Sequence, residues 1–379
     1  MNLLKKLNLN SNGFGHIEAV LAIVVIGAIG AIGVRVMTGS HAATPPTPLS
    51  ILFNSGTLST NNYIYTSDNS GHITNTHKLG QSAVWGLGGN FYYIKGTSAS
   101  VASSTIISPN TNNVVAKPAI KAGLVTIEHI SWSPAASKLA VVESSGPNTG
   151  LPYALYVMDS AGKQQQAIIP TSQKLIQIIN VTWSPDGKTL YFTGQKTGSS
   201  LNIYSINVDG SGLALIVPGG TLGGVSPDGS NIAYTSESWP NPCTVYLADT
   251  TGRNAKVLSI MSNNTITCAN ATFSPNGNYV AYDSYSGNPI LNTINLVQLS
   301  TKNQSTYSAG TGGSGYYVWS PDSSEIAYAN GTGPINNQYI VNLSILNVSS
   351  LSTKTLYSPL LSTPGLINNS LSWGNSYGN

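Results

Sequence analysis

One short pattern recurs along this chain and constrains its fold more than any other feature. Trp183-Ser184-Pro185-Asp186-Gly187 precedes Leu190-Tyr191-Phe192. Ser131-Trp132-Ser133-Pro134 precedes Leu139-Ala140-Val141, and Val225-Ser226-Pro227-Asp228-Gly229 precedes Ile232-Ala233-Tyr234. Phe273-Ser274-Pro275-Asn276-Gly277 precedes Val280-Ala281-Tyr282, and Trp319-Ser320-Pro321-Asp322 precedes Ile326-Ala327-Tyr328. Two worn copies flank these, around Trp85 and Trp373. Taking the Trp position as register (85, 132, 183, 225, 273, 319, 373) gives intervals of 47, 51, 42, 48, 46 and 54 residues. Such a period matches one four-stranded β-propeller blade per repeat.

Each part of the pattern has a physical job. In Ser-Pro-Asp-Gly, Pro presets φ, Asp hydrogen-bonds backbone locally and Gly accepts positive φ, so the segment is a tight turn between antiparallel strands. The large aromatic before it is suited to packing on a neighbouring blade. A second hairpin follows: Leu155-Tyr156-Val157-Met158-Asp159 turns at Gly162, Ile203-Tyr204-Ser205-Ile206 at Asp209-Gly210, and Val245-Tyr246-Leu247-Ala248-Asp249 at Gly252. Alternating apolar residues before Asp/Gly turns are hairpin signals. Two hairpins make one blade.

The chain ends set the blade count. Leu371-Ser372-Trp373 supplies a first strand only, while Ile51-Leu52-Phe53, Tyr63-Ile64-Tyr65 and Ile73-Thr74 supply three strands with no Trp motif. Together they complete one blade from both termini and leave no open sheet edge in the ring. The expected fold is therefore all-β, a seven-bladed β-propeller over residues 50–379, with six or eight blades as alternatives. The five clear copies, over residues 131–328, resemble the Trp-Asp-like repeats of the TolB propeller family. That resemblance implies the fold and leaves the function open, because propellers host binding proteins and enzymes alike.

Residues 1–50 read differently. A leader (1–13) carrying Lys5 and Lys6 ends at Gly13; an apolar segment (14–37) follows, then a Thr/Pro-rich linker (38–49). The apolar run is long enough to span a bilayer as a transmembrane α-helix. Lys5 and Lys6 would keep the leader cytoplasmic and place the propeller outside. Gly13-Phe14 with Glu18 resembles the processing site of type IV prepilins. The resemblance implies cleavage after Gly13, methylation of the Phe14 amine, and pairing of Glu18 with the amine of a neighbouring pilin-like subunit. Gly15 and His16 depart from that pattern. Signal-peptidase cleavage after Ala42 and an uncleaved anchor are the alternatives.

Composition narrows the chemistry. Charged residues are 8% of the chain and the formal net charge is +3, with no Lys/Arg cluster to form a nucleic-acid face. The two cysteines, Cys243 and Cys268, are read as a possible disulfide or as two separate thiols. No Gly-x-Ser-x-Gly nucleophile elbow occurs in the sequence. His72 and His77 are expected on an outer hairpin, and His129 on a first strand. Asp186, Asp228, Asp322, Asp159, Asp209 and Asp249 are expected to cap turns. No catalytic residue, metal site or cofactor is expected.

The reading is a binding module tethered to the cell surface, recognising a protein or glycan through longer loops at Glu237–Pro242 and Gly331–Gln338. Trp239, outside the motif register and near Pro240 and Pro242, is the candidate exposed aromatic. A minor pilin-like subunit and a carbohydrate-active propeller enzyme are the alternatives.

Overall fold

The computed structural model describes residues 49–375, except 58–59, 69, 87–89, 96–104, 109–112, 117–125, 145–151, 164–165, 237–242, 262–266, 287–290, 312–316, 336–337 and 359–365. The strands form seven four-stranded antiparallel sheets, one per blade. Blade 1 combines β1 (Leu49–Thr57), β2 (Thr60–Asp68) and β3 (Ile73–Leu79) with β28 (Leu366–Asn375), in the order β28-β1-β2-β3. The terminal strands pair as Ile51↔Trp373 and Phe53↔Leu371, so the two ends of the domain close the ring as the sequence pattern requires.

Blade 2 holds β4 (Gln81–Trp85), β5 (Phe91–Lys95), β6 (Thr105–Ser108) and β7 (Asn113–Ala116). Blade 3 holds β8 (Thr126–Ser133), β9 (Lys138–Ser144), β10 (Tyr153–Asp159) and β11 (Gln166–Ile169). Blade 4 comprises β12 (Leu175–Trp183), β13 (Thr189–Lys196), β14 (Leu201–Asn207) and β15 (Ala214–Pro218). In blade 5 these are β16 (Thr221–Val225), β17 (Asn231–Ser236), β18 (Thr244–Asp249) and β19 (Lys256–Ile260). Blade 6 contains β20 (Thr267–Phe273), β21 (Tyr279–Ser286), β22 (Leu291–Gln298) and β23 (Gln304–Thr311). Blade 7 contains β24 (Tyr317–Trp319), β25 (Glu325–Ile335), β26 (Gln338–Asn347) and β27 (Thr353–Tyr357).

The core lies between blades. Seven clusters of buried apolar side chains occur among the described residues, and each draws on two neighbouring blades. Phe192 and Leu190 of blade 4, for example, are buried with Val142 and Leu155 of blade 3. A four-stranded blade has two apolar faces and can cover neither alone, so each becomes stable only against its neighbours in the ring. Three of the motif Trp residues join these interfaces with directed bonds. Trp85 Nε1 donates to Ser50 O, Trp183 Nε1 to Ser131 O and Trp319 Nε1 to Thr272 Oγ1, at 3.1–3.2 Å and always to the preceding blade.

Connections divide into two faces because all the pairings are antiparallel. On one, the turns after each Ser-Pro motif are four or five residues long, and the second-hairpin turns are four to six. On the opposite face the connections reach nine residues, at 96–104 and 117–125. Gly252 shows how tightly the turn face is built. It has φ +79°, and a Cβ there would sit 1.9 Å from Ile216 O on the preceding blade.

One expected loop is a strand pair instead. Residues 331–335 belong to β25 and Gln338 opens β26, with Gly331↔Val341, Thr332↔Ile340 and Ile335↔Gln338 in register. The register shift between Thr332 and Ile335 takes up Gly333 and Pro334, where no ladder donor is required of the proline. The leader and the proposed membrane helix lie outside the described residues. Among the described residues no helix is long and apolar enough to cross a membrane.

Candidate functional site

The turn face consumes its own polar groups. Ser184 Oγ donates to Asp186 Oδ1 (2.6 Å) and accepts from Thr189 N (2.9 Å), while Asp186 accepts from Lys188 N (3.1 Å). Ser226–Asp228, Ser274–Asn276 and Ser320–Asp322 repeat the arrangement. In the second hairpins Asp159, Asp209 and Asp249 accept backbone N–H groups of their own turns. At Asp186, Asp209, Asp228 and Asp249 such bonds favour the ionised form. Asp228 is held down at about 2, chiefly by Ser226, and Asp186, Asp209 and Asp249 are also lowered. Their capping role is therefore as expected. At one point this face opens into a groove of about 250 Å³, lined by Trp132, Pro134, Trp183 and Pro185 of blades 3 and 4.

Toward the opposite face the first strand of several blades carries a β-bulge three residues before the Trp position. Ser82, Asn180 and Asn270 occupy it with φ of 50°, 52° and 54°. A bulge frees one residue from the ladder and re-aims its side chain. Asn180 Nδ2 thereby reaches Leu222 O of the next blade at 2.8 Å. Blade 5 has Gly223 at its bulge, where a Cβ would meet Ala271 O at 2.1 Å.

Two polar clusters stand out in the ring. In blade 3, Ser144 Oγ donates to Glu128 Oε1, and burial together with Glu128 raises the Tyr153 phenol. Neighbouring His129 lies on β8, as expected of a first strand, and burial lowers its pKa and favours neutral imidazole. His72 and His77 lie in the turn and outer strand of blade 1, both exposed.

The cluster in blade 6 is richer. Asp283 on β21 is 1% exposed. Its Oδ2 accepts from Tyr285 Oη and from Asn270 Nδ2 (3.3 Å). Its Oδ1 is buried with no hydrogen-bond partner among the described residues. Burial outweighs both donors and pushes the carboxyl up to about 6. From blade 7, the Tyr317 hydroxyl contacts the Asn270 and Ala281 carbonyls, the latter at 2.6 Å, and accepts from Thr272 Oγ1 (3.1 Å). Burial and the nearby Asp283 carboxylate raise the Tyr317 phenol well above its ordinary value. A cavity of about 10 Å³, lined by Asp283, Asn292, Tyr317 and Tyr328, lies at this joint.

Asp283 was not among the residues singled out by motif. Its signal is positional: nine residues after each motif Ser stand Val142, Thr193, Thr235, Asp283 and Ala329, so one strand-buried position carries a carboxylate in a single blade. Cys243 and Cys268 are placed together as a disulfide, with Cα atoms 5.8 Å apart, joining blades 5 and 6 toward the long-connection face. Gly13, Phe14, Glu18 and Trp239 lie outside the described residues. No group of three or more His, Cys, Asp or Glu side chains arranged to hold a metal occurs among the described residues.

Comparison with known proteins places the architecture. No family model matches the chain. The Tol-Pal system protein TolB of Xylella fastidiosa is 39% identical over 71 residues, which is 18% of this chain and 16% of the TolB sequence. The structure of TolB from Acinetobacter baumannii aligns with TM-score 0.51 and 15% identity, over 86% of this chain and 82% of that one. A Mycobacterium tuberculosis puromycin-hydrolysing peptidase aligns with TM-score 0.60 and 12% identity, over 84% of this chain and 54% of that one. An oligogalacturonate lyase from Vibrio parahaemolyticus gives TM-score 0.55 and 14% identity, over 85% and 88%. At these identities the likeness is one of fold, a TolB-like seven-bladed propeller. The same fold serves a peptidase and a lyase, so it does not choose a chemistry.

Proposed function

We propose that this chain is an extracytoplasmic interaction module, a rigid propeller held at the membrane by its N-terminal helix and recognising a protein or glycan through its long-connection face. The observation that carries the reading is the contrast between faces. The short turns satisfy their carboxylates internally, whereas the longest connections, 96–104 and 117–125, leave from the opposite end. Recognition residues concentrate on such loops above a rigid scaffold. Two further features support the placement: the prepilin-like Gly13-Phe14 with Glu18, and a cysteine pair of the kind that persists in oxidising compartments. The Cys243–Cys268 link also ties one end of the connection bearing Trp239 to blade 6, which favours that segment as part of the binding surface.

The test uses the full chain, purified from membranes in detergent and screened against glycan arrays and envelope proteins. Trp239→Ala should weaken a detected interaction at least tenfold and leave the melting temperature unchanged. Undiminished binding by that variant would remove Trp239 and its connection from the site. Mass spectrometry of the native mature N-terminus separates the assembly alternatives. A methylated Phe14 start supports a minor pilin-like subunit with pilin-like partners. A start at Ala43, or an intact leader, rules that out.

A further inference from the structure

The joint between blades 6 and 7 contains a buried acid, Asp283, with no Lys, Arg or His among the described residues that line its cavity. Asp283 is flanked by Ala269 and Ile294 in the ladder, and Tyr285, on its own strand, donates to Oδ2. Across the joint the titratable groups are Tyr317 on β24 and Tyr328 on β25, both with phenols raised chiefly by burial. The cavity lining includes no Lys, Arg or His. An ionised carboxylate in such a place is costly unless it is paired, and the remedies are a bound cation or a proton. The cavity at this joint has room for about one water. A water, which needs two to four polar partners, fits the space better than a metal ion, which needs a larger oxygen shell.

We propose that Asp283 is a proton-binding site, completed by one internal water, that makes the blade 6–blade 7 joint tighter in mildly acidic surroundings than at neutral pH. The coupling runs through named bonds. Asn270 donates to Asp283 through its side chain and meets Tyr317 through its carbonyl; Tyr317 is tied to Thr272, which accepts from Trp319 Nε1. A charge on Asp283 therefore acts on the same residues that hold blade 7 in place. The sign follows from the raised value. The folded chain binds this proton more tightly than the unfolded chain, by about a hundredfold for a shift from 3.8 to about 6. The stabilisation is absent above about pH 6 and grows as pH falls toward 4. His129 opposes it: its lowered pKa means stability is lost as pH falls through 6.5. Only a comparison at Asp283 itself isolates the effect.

The experiment is thermal unfolding of the full-length wild type and Asp283→Asn in the same detergent, from pH 4 to pH 8. At pH 8 the Asn variant should melt about 2–5 °C higher, and the difference should vanish near pH 4. A difference independent of pH overturns the proposal. Stabilisation of wild type, but not of Asp283→Asn, by sodium or calcium chloride relative to choline chloride at pH 8 also overturns it, because the cavity would then hold a cation. Tyr285→Phe, which removes a donor to the carboxylate, should move the midpoint of the wild-type pH dependence upward. A merely structural role for Tyr285 would lower stability equally at every pH.

Discussion

Asp228 and Asp283 stand in neighbouring blades, both accept hydrogen bonds, and their carboxyls are driven in opposite directions. Asp228 lies at the turn after Pro227 and accepts from Ser226, Ser230 Oγ and Ser230 N, with water around it. Its pKa falls to about 2. Asp283 accepts from Tyr285 and Asn270 in the interior, and its pKa rises to about 6. The number of donors differs little, so solvation decides the sign. In the turns hydrogen bonds add to a charge that water already supports; at the blade joint they fail to replace the water that folding removed. The turn carboxylates are thus structural punctuation, and the joint carboxylate is a group whose charge the fold can sense.

The comparison breaks most visibly at Tyr317. Tyr317→Phe keeps the ring but leaves the Asn270 and Ala281 carbonyls and Thr272 without this partner. A loss of about 1–3 kcal/mol is expected in denaturant unfolding. A loss below the error of the measurement would mean that the polar joint is held by apolar packing alone.

A smaller effect is expected at the turn. Asp228→Ala should cost under about 1 kcal/mol at pH 7, since an exposed carboxylate is screened by water. Its pH signature is the mirror of that at Asp283. A depressed pKa contributes stability above 3.8 that is lost as pH falls toward about 2, so the variant should show a flatter acid limb. An unchanged acid limb would show that the turn bonds do not favour the ionised form.

The smallest change sharpens the contrast without moving stability. Ser230→Ala removes a hydroxyl donor but keeps the Ser230 backbone donor to Asp228. Unfolding should shift by less than about 0.5 kcal/mol, while the Asp228 titration followed by NMR moves upward. A titration that stays put would assign the low value to Ser226 and the backbone alone.

Much of this molecule is legible before any coordinates. The repeated Ser-Pro-Asp-Gly turns, the aromatic before them and the Asp/Gly second hairpins specify a four-stranded blade, because each is a local solution to a local backbone problem. Closure by both termini was also readable, since Leu371-Ser372-Trp373 lacks the three strands that Ile51, Tyr63 and Ile73 begin. Gly331–Gln338 misled for a related reason: glycine and proline signal a loop, but a bulge can carry them within a ladder.

What the amino-acid order determined by itself, then, is the blade and its number of copies, written in turn chemistry and periodicity that depend on neighbours a few residues apart. The tertiary structure alone decided which polar residues lose water. Asp283 is an ordinary strand residue in sequence, and it is enclosed where Tyr317 and Tyr328 of the next blade, 34 and 45 positions away, pack against its joint. Desolvation is set by everything that surrounds a group, and in a ring of blades most of that comes from another repeat.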